Sequence, residues 1–204
     1  GSSERTGYTT LTTFTATARE ASQLLALTAR LDPRDEYSRS NPLWNDGSAF
    51  GTPRPFRFGV PRAQDLQFFG CPEGPLLFGD AIDQLKALGG EAVELDLSPF
   101  LEAARLLYEG PWVAERYSVA GELMEQNPEA VLPVIRAVLA KAPAVNGVQT
   151  FRAQYRLQAL KALCDKALEG LDCVVTPTIG RPVTLAELEA EPVLRNSELG
   201  YYTN

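Results

Sequence analysis

FGDAIDQLKALGGEAVELDLSPF, Phe78 to Phe100, decides the fold class of this chain. Phe78 to Leu88 reads as a helix. Gly89-Gly90 supplies its stop, because glycine enters the left-handed conformation that ends helices without a Cβ clash. Ala92 to Leu97 then alternates as a strand does, with Val93, Leu95 and Leu97 on one face and Glu94 and Asp96 on the other. A second short strand lies upstream at Arg57 to Val60, ended by Pro61. Strand, helix, Gly-Gly and strand make a crossover unit, which predicts a parallel pair and an α/β fold. Ser98-Pro99 is expected to cap the next helix, Phe100 to Tyr108.

Outward from this unit the chain is mostly helical. On the N-terminal side, Thr17 to Leu31 carries Ala18, Ala21, Leu24, Leu25, Leu27 and Leu31 at helical spacing, and Asp32-Pro33 stops it. Leu31 to Thr52 reads as a long surface loop. On the other side, Pro111 to Gln126, Pro128 to Lys141 and Val148 to Glu169 are the predicted helices. The last has an apolar stripe of Leu157, Leu160, Cys164, Ala167 and Leu168, with Phe151, Tyr155, Arg152, Arg156 and Lys161 off it. Cys173 to Thr176 reads as a strand buried on both faces. Thr178 to Pro182 follows as a loop at a strand's C-terminal end, where open α/β sheets place ligands and where a plain strand exit is equally at home. Leu185 to Ala190 is a short acidic helix. Leu194 to Asn204 reads as irregular, with Tyr201-Tyr202 finding little to pack on.

The composition sets bounds. A chain of 204 residues is expected to form a single domain, with Gly1-Ser2-Ser3 read as a cleaved-tag remnant. Hydrophobic residues at 45% and charged residues at 22% are ordinary globular usage. A net charge of −7, with no Lys/Arg cluster, argues against nucleic acid as a partner. No apolar run suits a membrane span, and a cytoplasmic location is expected. Three cysteines without metal spacing and no histidine argue against a zinc site and remove Ser-His-Asp and Cys-His mechanisms. No cofactor is expected.

One run stands out chemically: LYEGPWVAERY, Leu107 to Tyr117. Tyr108 ends one predicted helix, Gly110-Pro111 makes a tight step, and Arg116 lies on the next helix. The two side chains could face one space at the junction. A guanidinium fork suits a carboxylate, and a phenol adds an orienting hydrogen bond. A buried Tyr108 beside a surface ion pair of Arg116 with Glu109 or Glu115 accounts for the same residues.

LLYEGPWVAERY resembles the corresponding run of the allophanate hydrolases, members of the amidase signature family. RPFRFGVPRAQDLQFFG (54–70), LKALGGEAVELDLSPFLEAARLLYEG (85–110), FRAQYRLQALKAL (151–163) and VVTPTIGRPVTLAELEAEPVLRNSELGYYTN (174–204) resemble that family in the same order. The likeness implies part of a mixed sheet flanked by helices, helix-rich in the middle. It implies that residues 4–204 are the C-terminal part of an amidase signature domain. It also implies that Tyr108 and Arg116 hold the carboxylate of the substrate, allophanate or a similar ureido carboxylate. The family's Lys–Ser–Ser triad sits in a Gly/Ser-rich segment, and nothing like GGSSGG or GTDTAGS occurs here. The expectation is a chain that grips substrate but needs a complementary amidase segment for turnover. A non-catalytic carboxylate-binding or subunit-interaction module, including a homo-oligomer, is the alternative. Gly7-Tyr8-Thr9-Thr10, where the family usually has an Asp-Cys pair, departs from the pattern, and Lys141 to Gln149 matches loosely.

Overall fold

The computed structural model describes residues 14–35, 38–43 and 54–203, with Tyr108 described by its backbone alone. Two compact units divide at Arg54. In the first, α1 (Ala18–Thr28) starts from a reciprocal capping box: the Thr17 hydroxyl accepts from the Glu20 N–H, and the Glu20 carboxylate accepts from the Thr17 N–H. The expected loop after it lies only partly within the described residues, and the Gly1-Ser2-Ser3 and Thr6–Thr12 segments lie outside them.

The second unit, Pro55–Asn204, is built on three parallel strands in the order β2-β1-β3. β1 (Phe56–Pro61) pairs along its length with β2 (Gly90–Leu95), Phe56 opposite Gly90 and Pro61 opposite Leu95. Helix α2 (Gly74–Ala87) connects them, as the crossover reading requires. It begins four residues before Phe78, because Gly74-Pro75 places a proline in the first turn, where no N–H is needed. Gly89, at φ 93°, ends it: its N–H reaches the Lys86 carbonyl at 2.9 Å while that of Leu88 reaches Gln84 at 3.0 Å.

Phe58 is wholly buried in the central strand. It lies against Gly90, where an added Cβ would stand 2.7 Å from the Phe58 ring and 2.7 Å from that of Phe56. The exits of β1 and β2 are tied by one buried acid: Asp65 accepts from the Leu97 N–H and from Arg62 Nε, each at 3.1 Å, and Arg62 also bridges to Asp96. Burial of that carboxylate is tolerated because its Oδ2 receives both donors.

The remaining helices are α3 (Ser98–Glu109), α4 (Trp112–Gln126), α5 (Pro133–Leu139), α6 (Gly147–Ala167), α7 (Leu185–Ala190) and α8 (Pro192–Leu199). α6 opens on a capping box of Asn146 and Gln149 and packs on α3 through its predicted stripe, with Leu160 fully buried. Phe151 and Tyr155 are exposed, ring against ring at 6.4 Å. Val113, Leu139 and Ala142 form a second small core where α4 meets α5 and the turn after it.

Four expectations are corrected. Ser98 is not a helix cap: Leu97 holds that position, and the Ser98 hydroxyl instead donates to Asp96. Pro128 to Lys141 is a 3-10 turn, Pro128–Ala130, and then α5, because Pro133 restarts the helix. The third strand is only Cys173–Val174 at a sheet edge, and Cys173 is exposed instead of buried on both faces. Residues 192–199 are helical, and the two tyrosines beyond them are anchored. Tyr201 donates to the Asp65 carbonyl at 3.2 Å, and Tyr202 accepts from the Gln67 N–H and donates to the Gln67 carbonyl.

Candidate functional site

The α3–α4 junction is a tight hinge dictated by Gly110. A Cβ there would meet the Leu106 carbonyl oxygen at 2.4 Å, so only glycine lets the chain turn so close to the preceding helix. Pro111 then caps α4. The turn folds α4 back along the end of α3. Arg116, half-buried, extends Nη1 to within 3.5 Å of the Leu107 carbonyl, a long contact to the residue next to Tyr108. The structure therefore brings Arg116 beside the turn of α3 that carries Tyr108. Leu107 on α3 is buried at this place, while Val113 of α4 is buried against Leu139 and Ala142.

A second polar cluster went unread in the sequence. At the exit of β3, Arg181 joins Glu187 at 2.9 Å and Glu198 at 3.1 Å, and Arg195 joins Glu198 at 2.7 Å and also Glu191. Both guanidinium groups are largely covered, each 17% exposed. They line an open cavity of about 360 Å³ with the Phe69-Gly70-Cys71 turn and Pro182. The signal was present: Glu191, Arg195 and Glu198 have the i, i+4 and i+3 spacing of a helix face.

The Glu187 carboxyl is held down at about 2, first by hydrogen bonds from the Thr184 N–H, then by Arg181 and the Thr184 hydroxyl. The thiols of Cys164 and Cys173 are not activated. Burial pushes both up, and the neighbouring Asp165 and Asp172 add to it. Cys71 is half-buried, its Sγ 3.6 Å from a Glu73 carboxylate oxygen. Among the described residues no helix is long and apolar enough to cross a membrane.

No protein-family model matches the chain. A urea amidolyase of Lachancea kluyveri is 33% identical over 197 residues, covering 94% of this chain and 10% of that protein. An allophanate hydrolase structure from Kluyveromyces lactis superposes with a TM-score of 0.69 at 33% identity, over 74% of this chain and 25% of its own. The chain is homologous to part of the allophanate hydrolases. The urea amidolyase structure of K. lactis agrees, with a TM-score of 0.78 at 31% identity over 86% of this chain. The chain spans about a tenth of the length of the urea amidolyases it matches. Shared architecture with the allophanate hydrolase structure extends to the class of fold, helices on a small parallel sheet.

Proposed function

We propose that this chain is the substrate-gripping part of an allophanate-hydrolase-type amidohydrolase, with Tyr108 and Arg116 holding the carboxylate of a ureido carboxylate. The observation that carries the reading is the hinge: α4 turns back at Gly110 so that the Arg116 guanidinium lies beside the last turn of α3. Homology to a protein described as an allophanate hydrolase supports it. An Arg fork and a phenol together fix both the charge and the orientation of a small carboxylate. That positioning brings a scissile amide to a nucleophile but supplies none. In this reading the acyl transfer belongs to a complementary Lys–Ser–Ser segment, and the chain alone releases no ammonia from allophanate. The exposed face of α6 with Val148, Phe151 and Tyr155 suits contact with such a segment.

Calorimetry with malonate tests the grip. Saturable binding, weakened in both Arg116→Ala and Arg116→Lys, is expected, since Lys offers no planar fork. Equal affinity in all three proteins would remove the grip. Ammonia release by the chain alone would show that it carries a nucleophile of its own.

A further inference from the structure

We propose that the cavity between α3 and α8 binds a small carboxylate carrying N–H donors at its other end, Arg105 taking the carboxylate and Glu109 the N–H groups. The cavity, about 200 Å³, is bounded on the α3 side by Leu101, Arg105 and Glu109. Asn196, Ser197 and Tyr201 face them from α8 and the turn beyond it. Arg105 and Glu109 stand at i, i+4, a spacing at which opposite charges on a helix ordinarily pair. Among the described residues no hydrogen bond or ion pair joins them, and both side chains are exposed at the cavity's edge. One cation and one anion, a helical turn apart, thus border the same space without neutralising each other.

The other charged groups nearby are engaged. Glu102 is held in a two-pronged bond by Arg156, both contacts at 2.6 Å. The carboxylate of Asp65 is taken by Arg62 and the Leu97 N–H. Tyr201 donates its proton to the Asp65 carbonyl, so its phenol oxygen offers only acceptor capacity toward the cavity. Arg105 lines the cavity beside that phenol, and its charge also bears on Glu102 one turn before it. Ser197 donates to the Val193 carbonyl, leaving its oxygen as an acceptor, while the Asn196 amide can both donate and accept. The lining therefore offers a guanidinium at one end, a carboxylate at the other, and polar groups opposite. A ligand that is negative at one end and rich in N–H at the other matches it in sense and order. A plain carboxylate would meet Glu109 with nothing to give it, and a plain urea would leave Arg105 unmet. Arg116 is not among the residues that line this cavity.

The test is an NMR titration of the full chain with N-carbamoylglycine, following the Asn196 side-chain amide and the Ser197 backbone N–H. Saturable shifts at both are expected, with acetate and methylurea each binding more weakly. Arg105→Gln should weaken the response by roughly tenfold or more, whereas Arg116→Ala should leave it in place, separating this cavity from the proposed grip. Asn196→Asp, which sets a negative charge opposite the carboxylate, should abolish it and serves if Arg105→Gln disturbs the fold. No saturable shift at Asn196 and Ser197, an unchanged response in Arg105→Gln, or acetate binding as well as N-carbamoylglycine would overturn the proposal.

Discussion

Substitution at Phe58 and Gly90 tests the strand register on which the second unit rests. Phe58 is 0% exposed and packs on the bare Cα of Gly90 in the neighbouring strand. Phe58→Ala deletes the ring from a site walled by three strands, and such truncations cost about 3–5 kcal/mol. With a urea m value of about 2 kcal/mol/M, that becomes a fall of roughly 1.5–2.5 M in the unfolding midpoint. Gly90→Ala does the opposite damage. Its methyl would stand 2.7 Å from both rings, and overpacking of this kind costs about 1–3 kcal/mol. In the double variant the new methyl enters the space left by the Phe58 ring, though Phe56 still crowds it. The two losses should therefore sum to less than their total, with a coupling of about 0.5–3 kcal/mol. Urea unfolding followed by circular dichroism on the four proteins closes the cycle. Additive losses within about 0.5 kcal/mol would mean that Gly90 does not lie beneath Phe58, and the pairing of Phe56 with Gly90 would be wrong.

Leu160→Ala, at a fully buried position, should cost about 2–5 kcal/mol, whereas Arg156→Ala should cost less than about 1 kcal/mol because its pair with Glu102 is exposed. The reverse order in chemical denaturation would show that the ion pair, not the stripe, joins α6 to α3. Tyr202→Phe removes both contacts to Gln67 and should cost about 0.5–1.5 kcal/mol; an unchanged midpoint would show the C-terminal turn to be unanchored. Glu187, held at about 2 against an ordinary 4.5, contributes stability that is present above the higher value and lost as pH falls toward the lower. Glu187→Gln should accordingly flatten the acid side of the stability profile, and a carbon-detected titration of Glu187 with an ordinary midpoint would contradict the arrangement at Thr184.

The crossover unit was legible because its signals are local and agree. Gly89 ends α2 where the periodicity stops, and the alternation from Ala92 sets the next strand. Where reading failed, a distant partner decided the outcome. Ser98 was expected to cap α3, but Asp96 takes its hydroxyl while answering Arg62 across the strand exits, and no sequence pattern reveals that competition. Leu194 to Asn204 reads as irregular in the sequence, yet its first part, to Leu199, belongs to α8. That helix is held by charge, Glu191 and Glu198 on Arg195, and by Arg181 reaching over from the β3 exit.

The candidate site divides along the same line. The Gly110-Pro111 step is local, and the hinge it predicts is present, with Pro111 one position earlier than expected, as the cap of α4. What the step could not disclose is the fold-back that takes Arg116 to the Leu107 carbonyl, since this depends on how α3 and α4 pack on each other. Arg105 and Glu109 make the contrast sharper. By sequence they are an i, i+4 pair of opposite charge, which ordinarily means a solvated bridge. The helix that separates their roles, α8, comes about ninety residues later and is itself one of the segments read as irregular. Once α8 lies across that face of α3, the pair borders a cavity and has Asn196 opposite it. A charge pair on one helix thus comes to border a cavity only through a second helix that is held by largely covered ion pairs. Disrupting Arg195 should therefore weaken binding in the α3–α8 cavity while leaving the hinge grip untouched.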